Sequence, residues 1–392
     1  MSRDEARGVW LLALGQTTGY AAVLFAFAGL LVTLERETGW ARADMALGPT
    51  LGLLVAALVA PFAGRWVDRG WGGAMLGGSA AFGALCLIGL SQVTTLTGWY
   101  VWWVLNGLSQ ATGLFETCFA FLTRRLGPEA RGAIVRVTLV SGFASSLAFP
   151  LGTWAGQAFG WRGGFLAFAV MQLAVTVPAN LVGATLLRRG ARRGPTDGPA
   201  RGGAVGLAAR RPEFWLIAVL LGALWMNHAL LTTFALPVLM AQGLSQAMAA
   251  TVASFVGPMQ VAGRFFFMTG GQGLRPLPGL RLVAAGFGLA GAALLLATGH
   301  LWLLFVYAGL QGLSAGLVSI LRPLVIAEVL GQENFGAVSG AIAMAPLSAM
   351  AVAPMVGAAM MTAAGEGGLV GLALGLAATA LASALLLRGR AG

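Results

Sequence analysis

The chain has 392 residues, of which 58% are hydrophobic and only 9% charged, so its helices are apolar all round and it cannot be a soluble globular protein. It contains no lysine; 24 arginines against 13 acidic residues give a net charge of +11, and their clustering between the apolar runs attributes the high isoelectric point to membrane topology and anionic headgroups, not nucleic-acid binding. No Ser-His-Asp order, phosphate-binding glycine loop or cysteine–histidine metal framework is visible, which excludes the common hydrolases, an ATP-driven pump and a resident metal or cofactor.

Apolar runs of about 20 residues, the length that crosses about 30 Å of hydrocarbon, recur between charged interruptions. Twelve are expected, near 8–34, 44–67, 72–93, 97–123, 132–159, 163–187, 213–241, 245–270, 278–298, 300–329, 335–361 and 367–387. Helix 1 carries Gln16 and Tyr20 one turn apart. The turn after helix 2 is charged and reads Gly64-Arg65-Trp66-Val67-Asp68-Arg69-Gly70. In helix 4 Asn106, Gln110, Gly113 and Thr117 share one stripe, and Glu116 lies about 12 Å inside Arg124 at about 1.5 Å per residue.

The stretch 188–212, rich in Gly, Pro and Arg without helical period, is the one clear linker. It separates an N-terminal half, 1–187, from a C-terminal half, 213–392. Helix 7 contains Asn227 and His228, helix 8 Gln260 and Arg264, and helix 10 Gln311 and Arg322. Cys86 and Cys118 fall inside spans and read as small apolar residues. Ten methionines of the C-terminal half show no ligand spacing and read as packing, with copper transport a minor alternative.

The halves repeat with a constant offset of 204 residues: Gly39 falls on Gly243, Leu126-Gly127 on Leu330-Gly331, and Gly132-Ala133 on Gly336-Ala337. Parallel six-helix repeats are a transporter signature. Arginines cluster before helix 1, in alternate loops, in the linker and at the C-terminus. By the positive-inside rule both termini are cytoplasmic, which requires an even number of spans. No signal-peptide cleavage site follows helix 1, so that helix is expected in the mature protein.

Twelve spans, an arginine-rich central linker and the Gly64–Asp68–Arg69 turn together resemble the major facilitator superfamily. The resemblance implies an all-α membrane protein of two pseudo-symmetric six-helix halves that rock about a central cavity, with helices 1, 4, 7 and 10 lining it. It also implies a gating clamp by Asp68 and Arg69 at the cytoplasmic ends of helices in the N-terminal half. The usual further basic residues are replaced by Trp71-Gly72-Gly73-Ala74. Three stretches, "GWARADMALGPTLGLLVAALVAPFAGRWVDRG", "FGWRGGFLAFA" and "GPMQVAGRFFF", are similar to the bacterial monocarboxylate and oxalate/formate branch. Carriers of that type place a substrate-handling arginine in helix 8, matching Arg264, often with an acid one turn earlier, where this chain has Gln260. The helix-4 arginine and helix-5 Gly-Pro pair of drug/proton antiporters are absent.

An ionisable side chain within a span costs several kcal/mol unless it faces protein or water, so each is a functional candidate. A guanidinium presents a fixed fork of donors and stays protonated, which suits a carboxylate. Arg264 and Arg322 are therefore the expected anion-binding pair, with Tyr20, Asn106, Gln110, Asn227, His228, Gln260 and Gln311 as substrate-contacting residues. Glu116 and His228 are the expected proton-coupling groups. Three readings of Arg322 stay open: anion binding, a gate formed with Glu116, and snorkelling to headgroups. Glu116 as a fixed structural partner and His228 as a satisfied helical histidine also stay open. The expectation is a monomeric secondary transporter of a small organic anion in the bacterial cytoplasmic membrane, working by proton symport or anion exchange among membrane lipids. An exporter of amphipathic drugs or metabolites is the main alternative, and a membrane receptor or scaffold the third.

Overall fold

In the computed structural model the described residues are 1–190, 203–270 and 273–387, and they form no strand. Residues 191–202 of the 188–212 linker, with Arg192, Arg193 and Arg201, lie outside them, as do Arg388 and Arg390. The helices are α1 (Arg3–Val23), α2 (Ala26–Thr38), α3 (Arg42–Asp68), α4 (Gly72–Gln92), α5 (Leu96–Gly113), α6 (Phe115–Leu126), α7 (Ala130–Ser141), α8 (Ala144–Met171) and α9 (Val177–Gly190). After them come α10 (Ala204–Ala209), α11 (Pro212–Thr233), α12 (Ala235–Ala241), α13 (Gln246–Thr269), α14 (Pro276–Leu295), α15 (Leu301–Leu330) and α16 (Phe335–Leu386).

Several expected spans are two helices in line. α1 and α2 form the first, broken at Leu24-Phe25; α5 and α6 the fourth, broken at Leu114; α7 and the start of α8 the fifth; α11 and α12 the seventh, broken at Phe234. α8 and α16 each turn back through a left-handed glycine, Gly160 (φ 68°) and Gly365 (φ 63°), and so supply two spans apiece. Taken at these turns, the described residues make twelve rods, the sixth interrupted by a π-helical turn at Gln172–Thr176.

Local chemistry sets the ends. Ser2 and Glu5 cap α1 reciprocally, at 3.2 and 2.6 Å, satisfying two of the amide donors that a helix start leaves free. Thr95 and Ser245 cap α5 and α13 through Gly98 N and Met248 N. The repeat recognised in the sequence has a backbone cause. Gly39 (φ 68°) and Gly243 (φ 88°) end corresponding spans, as do Gly127 (φ 53°) and Gly331 (φ 95°), so these two matched pairs are positions where a Cβ would be strained.

Contacts divide the chain into two compact units, Met1–Val205 with Gln332–Met344, and Gly206–Gly331 with Ala345–Gly392. The first turns of α16 join unit 1 because they pack directly on α3. A Cβ at Gly64 would strike the carbonyl of Gly336, and one at Gly340 would strike that of Ala60. The core of unit 1 is built on Leu30, Leu34, Trp99, Trp103, Phe165 and Phe168. That of unit 2 is built on Leu230, Leu239, Val252, Leu294, Leu304 and Leu369.

Each unit fastens corresponding helix pairs with the same device. In unit 1 a Cβ at Gly107 of α5 would meet the carbonyl of Gly52 of α3, and in unit 2 a Cβ at Gly312 of α15 would meet that of Val256 of α13. Gly52 and Val256 are 204 residues apart. Small residues let the backbones close to contact, the main source of helix cohesion where lipid removes the hydrophobic drive.

Candidate transport site

In unit 2, α13 and α15 pack backbone against backbone. Gly316 faces the carbonyl of Gln260 where a Cβ would not fit, and a Cβ at Gly263 would lie 2.6 Å from the carbonyl of Leu313. This contact carries Arg264 against α15. The arginine is buried, at 9% exposure, and its Nε donates to the Ser319 hydroxyl at 3.3 Å. That hydroxyl in turn donates to the carbonyl of Gly316 at 2.7 Å, so Ser319 presents its lone pairs to the guanidinium.

One helical turn before Arg264, Gln260 reaches α11, where its Nε2 lies 3.5 Å from Nε2 of His228. The amide donates, so this imidazole nitrogen accepts and the proton of the neutral ring sits on Nδ1. Among the described residues Nδ1 has no hydrogen-bond partner, nor has the indole Nε1 of Trp225, whose ring lies 5.9 Å from His228 and perpendicular to it. Trp225, His228 and Gln260 are half-buried. A buried donor without an acceptor costs on the order of 1–3 kcal/mol. Trp225 and Ser319 were not singled out by sequence. A tryptophan one turn before His228 was the available signal for the first.

The other expected residues fall into separate groups. Asn227 donates to the carbonyl of Ala373 at 2.7 Å and accepts from Gln311 at 3.2 Å, a fully buried cross-link within unit 2. Arg322 is half-buried on α15, one turn beyond Ser319. In unit 1, Asn106 and Gln110 both donate to the carbonyl of Val23, at 2.8 and 3.1 Å. Val23 ends α1 at the break, so its carbonyl lacks a helical partner. Gln16 serves the fourth span likewise, donating to the carbonyl of Gly113 at 2.8 Å. Below that break Glu116 lies in the first turn of α6, and the ring of Tyr20 meets that of Phe115 at 4.4 Å.

Asp68 is buried at the end of α3. Its two carboxylate oxygens accept the backbone N–H groups of Gly336, at 3.0 Å, and Ala337, at 2.7 Å, in the first turn of α16. An anion at the amino end of a helix satisfies free donors and the positive end of the helix dipole together. Arg124 donates to the Asp68 carbonyl, while Arg69 is exposed beyond the clamp.

Among the described residues eight helical stretches are long and apolar enough to cross a membrane, two of them, Leu96–Arg189 and Phe335–Leu386, holding more than one rod, and buried amides cross-link the rods within each unit. This is the architecture of a multi-pass membrane carrier. The chain belongs to the Major Facilitator Superfamily, whose sequence profile matches residues 10–280. No curated protein matches it in sequence. Among solved structures it is similar to the proton:xylose symporter XylE bound to 6-bromo-6-deoxy-D-glucose. The TM-score is 0.72 at 12% identity, over 97% of this chain and 94% of that one. It is also similar to the transporter FucP in the outward conformation, with TM-score 0.67 at 13% identity, over 98% of this chain and 99% of that one. At these identities the likeness is one of fold. The chain is accordingly a membrane transporter and not an enzyme.

Proposed function

We propose that the protein is a secondary transporter of a small organic anion, of the carboxylate class, moved by alternating access in the bacterial cytoplasmic membrane with both termini cytoplasmic. The observation that carries this is the arrangement Trp225–His228–Gln260–Arg264–Ser319, which gathers a buried guanidinium and two unpartnered donors on three packed helices. A planar carboxylate matches the guanidinium fork, and a neutral sugar does not call for a buried cation.

His228 is the coupling group in this reading. Histidine is the side chain whose ordinary titration lies nearest physiological pH, and a proton on it adds a second positive charge beside Arg264. Proton and anion would then be carried together. Glu116 is the coupling candidate of unit 1, and Arg322 the second arginine of the anion site or the partner of Glu116 in a gate. The likeness of helices 1–2, 6 and 8 to monocarboxylate carriers supports the same substrate class. Division into six-helix halves 1–187 and 213–392, and action as a monomer, complete the proposal.

The test is thermal unfolding of the purified protein against mono-, di- and tricarboxylates, neutral sugars, cationic drugs and copper, at acidic and neutral pH. A ligand at 100 times its dissociation constant stabilises the fold by about 2.7 kcal/mol. A carboxylate response that strengthens at acidic pH is expected; a response to sugars, drugs or copper alone would refute the anion reading.

A further inference from the structure

Unit 1 contains a cavity of about 360 Å³ at the end of its bundle opposite the amino terminus, lined by Glu37, Trp40, Thr94, Phe159, Trp161 and Arg162 among others. Its walls carry one fixed anion and one fixed cation that do not pair with each other. Glu37, 34% exposed, accepts the backbone N–H of Trp161 at 3.2 Å through Oε2, while Oε1 lies 3.6 Å from the outlying Arg36. Gly160 makes that approach possible, since a Cβ there would stand 2.8 Å from the carboxylate. Arg162 donates to the carbonyls of Ser91 at 2.5 Å and Val93 at 2.8 Å, and its guanidinium lies 4.4 Å over the ring of Trp161. Two of its five donors are thereby used and the head is held in place, leaving three to point elsewhere; the carboxylate likewise keeps acceptor sites.

An anion alone would meet Glu37 and a cation alone would meet Arg162, whereas a molecule with both charges satisfies both. We propose that this cavity binds a zwitterionic ammonium–phosphate group of the phosphoethanolamine class, with phosphate on Arg162, and ammonium on Glu37 and the face of Trp40. Charge-assisted contacts of these kinds, and cation–π contact with tryptophan, are the strong forms of each interaction. The surroundings match a headgroup. Trp40, Tyr100 and Trp154 gather at this end, as aromatic residues do at a membrane–water interface, and Trp154 and Phe159 are 59% and 62% exposed. The group has two possible sources, a membrane phospholipid or a soluble zwitterion. A bound headgroup would join the end of α2, the α4–α5 turn and the Gly160 bend of α8.

The test uses the full chain purified in lipid-free detergent, with native mass spectrometry and thermal unfolding as readouts, and phosphatidylethanolamine compared with phosphatidylglycerol of identical acyl chains. The ethanolamine lipid is expected to bind at least about fivefold more tightly. Glu37→Gln, which keeps an acceptor for Trp161 N, should erase that preference, and Thr94→Arg, at an exposed turn position, should block the cavity without touching the core. Competition by chain-free glycerophosphoethanolamine would identify a soluble zwitterion, and its failure a lipid; either supports the site. Equal or tighter binding of phosphatidylglycerol, or an undiminished preference in both variants, would overturn it.

Discussion

Gln260 stands between His228 and Arg264, 3.5 Å from the imidazole of the first and one helical turn before the second. It gives the histidine a neutral neighbour, and in the proposed reading His228 is the coupling group. Replacing it by glutamate places a carboxylate that competes with an anionic substrate for the same cations. Gln260→Glu should therefore bind carboxylates more weakly than wild type where the new side chain is ionised and recover as pH falls and it protonates. Ligand affinity measured across pH checks this, and an unchanged profile would detach Gln260 from the site.

The glycine contact under Arg264 is tested by a pair of substitutions on one helix. Gly316→Ala forces a methyl group against the carbonyl of Gln260 and should cost about 1–3 kcal/mol, as overpacking does, while also weakening anion binding. Gly309→Ala, on the same α15 with open space around it, should be neutral or stabilise by up to about 1 kcal/mol. Thermal unfolding of the two variants separates local packing from general helix propensity.

The break between α1 and α2 leaves the Val23 carbonyl to Asn106 and Gln110, either of which satisfies it. Asn106→Leu and Gln110→Leu should each cost about 1 kcal/mol or less, and the double variant more than their sum, because only then is the carbonyl orphaned. Additive losses in a double-mutant cycle would show that the two amides act independently of the break.

Asp68 offers two acceptor oxygens to two amide donors. Asp68→Asn keeps one acceptor and adds an NH2 that faces a backbone N–H, so it should loosen the start of α16 and destabilise unit 1 by about 1–3 kcal/mol. Hydrogen exchange at Gly336 and Ala337 reads this directly, with faster exchange expected in the variant.

How legible these features were depends on whether their cause is local. Gly39, Gly127, Gly243 and Gly331 were readable as a repeat because a left-handed backbone demands glycine wherever it recurs. The Gly64–Asp68–Arg69 turn stood out by resemblance as a clamp within the N-terminal half, whereas the acceptor role of Asp68 toward Gly336 and Ala337 spans 268 and 269 residues and leaves no mark near either end. The break at Leu24-Phe25 carries no glycine or proline, and its freed carbonyl is satisfied from another helix, so Asn106 and Gln110 read as open polar groups. Arg264, His228 and Gln260 stood out as polar residues in lipid-length spans. Trp225 did not, because only the fold reveals that its indole N–H lacks a partner among the described residues.

Equilibrium binding of a radiolabelled short-chain carboxylate to wild type, Arg264→Lys and Arg264→Gln measures whether Arg264 holds an anion. A hydrogen bond to a charged group contributes about 1.5–3 kcal/mol, so the glutamine variant should lose affinity by about tenfold or more, with lysine intermediate because it keeps the charge without the fork. Saturable binding of equal affinity in wild type and Arg264→Gln would show that Arg264 does not hold the anion.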